Sequence, residues 1–166
     1  MVAFGHTAIG TITGITAFEI LKESNPLIGI PIALGAGIVS HYLTDFIPHG
    51  HFFQYHEYKN KVKYAIIFDF AFSVFLFTLI PFLQQGINQR LIYIISGIAG
   101  SQLPDILDGL IHTKFLKPKG LINLEYKFHQ LMHWHGNLEK ALLWGKRDLW
   151  QVLIIVLALF LLFKFS

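Results

Sequence analysis

The stretch 26-PLIGIPIALGAGIVSHYLTDFI-47 decides the fold, because it is apolar along most of its length and carries no charge before Asp45. A helix needs about 20 apolar residues to cross the hydrocarbon core of a bilayer. Four other apolar segments lie at residues 2–21, 62–83, 90–112 and 149–163. Strand signals are absent between them. We therefore predict an all-α protein, an integral membrane bundle of about five hydrophobic helices in a single domain spanning residues 1–166.

The composition excludes an ordinary soluble domain. Of the 166 residues, 54% are hydrophobic and only 14% are charged, against about 25% charged in a typical soluble protein. The charges sit in a few loops, and the segments between them are almost uncharged. The net charge of +3 is explained by lysines that flank apolar segments and orient the chain. We therefore expect contact with membrane lipid and no nucleic-acid partner.

The longest polar stretch runs from residue 113 to residue 148. Within it, residues 121–143 mix apolar and charged side chains at helical spacing, which is typical of helices that lie in the plane of a membrane interface. We predict one or two interfacial helices here, lying over the bundle.

The basic residues predict the orientation of the bundle. Five spans place the N-terminus and the loops around residues 48–61 and 113–148 on one side, with ten of the thirteen Lys and Arg residues. Basic residues concentrate in cytoplasmic loops. We expect an inner or plasma membrane protein with a cytoplasmic N-terminus. No cleavable signal peptide is predicted, because no basic residue precedes the first apolar segment, whose first charge is Glu19.

Residues of the metal-ligand type are abundant and regularly spaced. The chain has nine histidines and no cysteine, so a metal ion must be held by His, Asp or Glu. His41 and Asp45 are four residues apart, which places both on one face of a helix. His129 and His133 repeat this spacing, and His51 follows the end of the second segment.

The polar residues within or beside the apolar segments share one predicted end of the bundle. His6 begins the first segment, Asp69 lies about two turns inside the third, and Asp105 and Asp108 lie near the end of the fourth. Carboxylates in lipid are costly unless paired, and metal ions would neutralise them. A set of imidazole nitrogens and carboxylate oxygens suits Zn²⁺, with Mn²⁺ or Fe²⁺ as alternatives. We predict two or three ions held by His6, His41, Asp45, His51, Asp69, Asp105, His129 and His133.

At these residues the chain resembles the membrane-bound metal-dependent hydrolases of the YdjM type. Gly5-His6, Leu103-Pro104-Asp105 with Asp108, and His129 with His133 resemble three elements of that family. Ser40-His41 with Asp45 resembles its Ser-His-x3-Asp helix, which here comes second along the chain. More distantly, the His-x3-Asp-x5-His spacing of His41, Asp45 and His51 is similar to the zinc-dependent phospholipase C superfamily.

These resemblances imply a hydrolase acting on phosphoesters, such as phospholipid or lipid-linked headgroups, at the cytoplasmic interface. We assign Asp69 and Asp108 as candidate catalytic residues. The alternative is a divalent metal transporter or a metal-binding membrane protein. A carrier needs a site near the midplane with access from both sides, whereas the predicted ligands crowd one end. The substrate and the oligomeric state are left open by the sequence.

Overall fold

The computed structural model describes residues 3–47, 59–132 and 149–164, with the backbone alone for 59–66 and 112. These residues form six α-helices and no strand: α1 Ala3–Leu21, α2 Pro26–Asp45, α3 Lys59–Gln85, α4 Gln89–His112, α5 Leu121–Met132 and α6 Leu149–Lys164. The all-α prediction is confirmed for this part of the chain. Each of the five predicted apolar segments forms a helix.

The helix boundaries differ slightly from the predicted ones, for local reasons. α2 begins at Pro26 because the side chain of Asn25 accepts a hydrogen bond from the Leu27 amide, as an N-terminal cap does. Asn88 caps α4 in the same way through the Leu91 amide. α4 runs through Pro104, so Asp105 lies on the helix. In the predicted interfacial region a helix covers Leu121–Met132, and residues 133–143 lie outside the described ranges.

α4 is the central element of the bundle. It packs against α1 and α2, which also pack against each other, and α1 further contacts α3 and α6. One apolar cluster joins four of these helices through side chains including Ile15, Phe77, Ile94 and Leu162. The central helix can therefore carry a site that its neighbours complete.

Glycines allow α1, α2 and α4 to meet backbone to backbone. A Cβ atom added at Gly10 would lie 2.7 Å from the carbonyl oxygen of Gly97 and 2.8 Å from the Cα of Ile98. One added at Gly37 would collide with the same carbonyl oxygen and lie 2.9 Å from the amide nitrogen of Ser101. Small residues permit this close approach of helices. We call Gly10, Gly37, Gly97 and Gly100 the glycine layer.

Two helical segments of the described residues are long and apolar enough to cross a membrane. They are Pro26–Asp45 and Ile67–Gln85. Their 18-residue apolar windows are only 28% and 17% buried, respectively. The apolar surface of both segments is thus mostly exposed, whereas the core helices of a soluble bundle are mostly buried.

Candidate metal centre

A buried cluster of histidine and aspartate side chains lies one helical turn from the glycine layer. His6 lies four residues before Gly10 on α1, and His41 lies four residues after Gly37 on α2. Asp105 lies five residues after Gly100 on α4. Because the backbones are in contact at the glycines, the side chains one turn further along converge on one another.

Four residues of the cluster form a group that could hold a metal ion: His6, His41, Asp45 and Asp105. One ligand atom from each lies within 4.8 Å of all the others. The side chains of His6, His41 and Asp45 are fully buried, whereas that of Asp105 is 36% exposed. The group therefore sits in the bundle with Asp105 at its open edge.

Asp45 lies between the imidazoles. Its Oδ1 is 3.1 Å from Nε2 of His6, and its Oδ2 is 3.0 Å from Nε2 of His41. Bonds of about 2.0–2.1 Å from zinc to imidazole nitrogen imply neighbouring ligand atoms about 3.3 Å apart in a tetrahedral site. These separations fit donors that share an ion.

α5 brings a third imidazole to the group. His129 is 1% exposed, and its Nε2 lies 3.1 Å from Nε2 of His41 and 3.4 Å from Oδ2 of Asp45. Burial lowers the pKa of His129, but the nearby carboxylates of Asp45 and Asp105 outweigh it and raise the pKa above its usual value. His129 thus faces the same donors as the other two histidines.

A backbone hydrogen bond selects the tautomer of His41. Its Nδ1 lies 2.7 Å from the carbonyl oxygen of Ser101, and a carbonyl only accepts, so Nδ1 donates. The lone pair is then on Nε2, the nitrogen that faces Asp45 and His129. Metal-binding histidines are commonly oriented by such a bond from the nitrogen that does not bind the metal.

His6 is oriented by packing. Its ring stacks on the ring of His41 with centroids 4.1 Å apart. Nε2 lies 3.1 Å from Oδ1 of Asp45, but neither buried nitrogen has the geometry of a hydrogen bond within the part of the chain that the structure describes. Buried polar atoms normally have a partner. A metal ion at Nε2 would supply one, so the donor set fits a divalent cation such as Zn²⁺.

A network of polar side chains supports α1 beside His6. Gln102 of α4 donates to the carbonyl oxygen of Ala3 at 2.8 Å and to the hydroxyl of Thr7 at 2.6 Å. Thr7 also forms a hydrogen bond with Ser73 of α3. This network ties three helices together next to the cluster. The network is not predictable from the sequence, because uncharged polar residues inside apolar segments give no distinctive signal.

The other predicted site residues have different surroundings. Asp69 accepts hydrogen bonds from the backbone amides of Ala3 and Phe4 at the start of α1. Asp108 accepts a hydrogen bond from Gln130 of α5 at 3.0 Å. Neither belongs to the four-residue group, and their catalytic assignment stays a prediction. His51 and His133 lie outside the described residues.

Two contacts that position His129 were not predicted. The hydroxyl of Tyr42 donates to Glu125 at 2.9 Å, and the Tyr42 ring packs edge to face on Phe128. Glu125 precedes His129 by four residues, a spacing that places both on one face of α5. That spacing could have identified Glu125 in the sequence.

Comparison with protein-family models, with curated proteins and with solved structures finds no match to this chain. The geometry of the cluster is therefore the basis for its proposed chemistry.

Proposed function

We propose that this chain is a membrane-embedded, metal-dependent phosphoester hydrolase with two metal ions, preferably Zn²⁺, at one end of its bundle. The observation that carries the proposal is the orientation of the two carboxylates. Asp45 and Asp105 each direct one oxygen toward His6 and the other toward His41 and His129.

This orientation of the carboxylate oxygens defines two sets of metal-binding atoms. Oδ2 of Asp105 lies 3.6 Å from Nε2 of His6, and its Oδ1 lies 3.6 Å from Nε2 of His129. His6 would hold one ion and the other two histidines a second, with both carboxylates shared. Carboxylates that bridge a pair of ions are a reason to expect hydrolysis, because paired ions stabilise both the attacking and the leaving oxygen of a phosphoryl group.

The charge balance favours an anionic substrate. Two divalent ions exceed the charge of two carboxylates, and the surplus positive charge attracts a phosphate group. The metal ions would lower the pKa of a water molecule and polarise a phosphoryl oxygen. Asp105 is at the open edge of the cluster, and Asp108 follows one turn later on α4. We assign Asp108 as the candidate group that exchanges protons with substrate.

The membrane placement is supported by exposed apolar surface. Phe68, Phe75 and Leu83 of α3 are each more than half exposed, and water would not stabilise such a surface. The cluster is at the end of the bundle that carries the loop before α5, whose lysines favour the cytoplasmic side. The substrate we propose is a phospholipid or a lipid-linked phosphate reached from this side.

Metal analysis of single variants tests the two-ion assignment. We expect two ions per chain in the purified wild type. His6→Ala should retain one ion, whereas Asp45→Asn should weaken both ions by about 10–100-fold or more, the usual effect of losing a ligand or its support. Glu19→Gln, at the far end of α1, is the matched control and should keep both.

Hydrolysis is measured on the same preparations. The wild type should release phosphate or a phosphorylated headgroup from a panel of phospholipids and lipid-linked phosphates, and Asp45→Asn should not. A wild-type protein without stoichiometric metal after zinc repletion would end the proposal. Zinc flux into proteoliposomes without hydrolysis across the panel would instead establish a carrier.

A further inference from the structure

α5 has three chemically different faces. Its inner face holds Glu125 and His129, which contact Tyr42 and the metal cluster. Asn123 and Gln130 lie on a polar face. The third face is an apolar stripe that the structure leaves exposed, formed by Leu121, Leu124, Phe128 and Leu131.

The stripe follows the helical repeat. Its residues recur at intervals of three and four, which aligns them on one side of a helix. Leu121 is 82% exposed, and Leu131 is 66% exposed. The orientation of α5 is determined by its contacts with the bundle, because Glu125 forms a hydrogen bond with α2 and Gln130 forms one with α4. The stripe therefore cannot turn inward without breaking the contacts that position His129.

Positive charge lies on α5 and in the loop before it. Residues 113–132 contain four lysines and one glutamate, a formal net charge of +3 without the histidine. The lysines are all exposed: Lys114, Lys117, Lys119 and Lys127. Phe115, in the loop before α5, is 83% exposed among them. An apolar stripe bordered by lysines complements a membrane surface with anionic headgroups.

We propose that α5 is an interfacial helix whose apolar stripe inserts into the headgroup region of a bilayer, where its lysines bind anionic phospholipid. The inference rests on the proposed placement of the bundle in a membrane, but not on hydrolysis. It deepens the proposed function in one respect: lipids with an anionic headgroup are concentrated beside the cluster, because the helix that binds them also carries His129.

Nitroxide labels can test this, since the chain has no cysteine of its own. Three single-cysteine variants are reconstituted in vesicles of phosphatidylcholine, with or without phosphatidylglycerol. Leu124→Cys reports on the stripe, Asn123→Cys on the polar face one residue away, and Phe75→Cys on the candidate span in α3. Accessibility to oxygen marks lipid contact, and accessibility to a water-soluble nickel chelate marks exposure to water. Metal content and helicity check that each variant is folded.

We expect the label at Leu124 to favour oxygen and the label at Asn123 to favour the nickel chelate. Phosphatidylglycerol should increase the oxygen accessibility at Leu124. Replacing all four lysines by glutamine, or adding salt, should abolish that increase while leaving the label at Phe75 in lipid.

Four results would overturn the proposal or one part of it, and they are distinguishable from one another. A label at Leu124 that favours water while Phe75 is in lipid rejects the interfacial helix alone. Water exposure at both positions rejects the membrane placement as well. Spin–spin broadening at Leu124 shows that a second copy of the chain covers the stripe. If phosphatidylglycerol still increases the oxygen accessibility at Leu124 after the lysines are replaced, the lysines do not bind the lipid.

Discussion

At the scale of single residues, the cluster depends on groups that never need to contact a metal ion. Ser101 contributes only its backbone carbonyl, yet that oxygen selects the tautomer of His41. Tyr42 and Glu125 connect α2 to the helix that carries His129. Changes at such positions alter the orientation of a ligand rather than its identity, and the effect on metal affinity can still be large.

Asp69 provides a test of this distinction. Its carboxylate accepts from two backbone amides at the start of α1, where unsatisfied amides and the helix dipole favour a negative charge. We expect Asp69→Asn to lower the free energy of unfolding by about 0.3–1 kcal/mol, because the amide oxygen can still accept from the two backbone amides but no negative charge faces the helix dipole. The two proposed metal ions should both remain bound. Unfolding in detergent and metal analysis measure the two effects.

The opposite result would support a direct role. If Asp69→Asn loses an ion or all turnover with unchanged stability, Asp69 acts as the ligand or catalytic residue that its sequence position predicts. Thr78→Val, on the same helix but far from the start of α1, serves as the control for nonspecific effects of substitution in α3.

At the scale of helices, the glycine layer sets the distances in the cluster. A methyl group at Gly37 meets backbone atoms of α4, which cannot move aside as a flexible side chain can. We expect Gly37→Ala to destabilise the protein by about 1–3 kcal/mol, as overpacking does, and to weaken zinc binding. The separation of His41 from Asp105 would widen first, because both lie one turn from the contact.

Gly35→Ala is a close control. It lies two residues away on α2, and a Cβ there has nothing within 4 Å. Alanine is preferred over glycine in a helix by up to about 1 kcal/mol, so this variant should be as stable as the wild type or slightly more so. Equal behaviour of the two variants in thermal unfolding and zinc titration would refute the importance of the glycine layer.

The sequence predicted the helices well, because an apolar segment between polar loops has few alternatives. It also identified His6, His41, Asp45, Asp105 and His129 as candidate ligands, from their spacing and their shared end. It did not indicate which carboxylate oxygen faces which imidazole, since that depends on helix rotation. The rotation of each helix is determined by glycine contacts with helices that are far apart in the chain. A periodic pattern within one helix does not predict such contacts.

At the scale of the whole molecule, the chain has two unlike ends. One carries the cluster, α5 and the lysines beside it. The other carries Glu19 and Lys22, which form an exposed ion pair, and Arg90. Exposed ion pairs of this kind contribute little to stability. The basic residues therefore influence the orientation of the chain in the membrane more than its stability. Their distribution predicts that the cluster end is cytoplasmic.

Cysteine labelling tests the orientation. Lys117→Cys should react with a membrane-impermeant maleimide only after the cells are permeabilised, whereas Lys22→Cys should react in intact cells. The reverse pattern would place the cluster outside. Reaction of both in intact cells would show that the segment between them does not separate two compartments.

The position of the glycine layer also constrains how the length of this chain can vary. A helix turns by about 100° for each residue and rises by about 1.5 Å. One residue inserted between Gly37 and His41 would carry the imidazole to the wrong side of α2, although every original side chain would still be present. Residues 6–10, 37–41 and 100–105 are therefore segments where insertions and deletions are excluded. A residue gained or lost in the loops 22–25 and 86–88, at the other ends of these helices, would leave those three spacings unchanged.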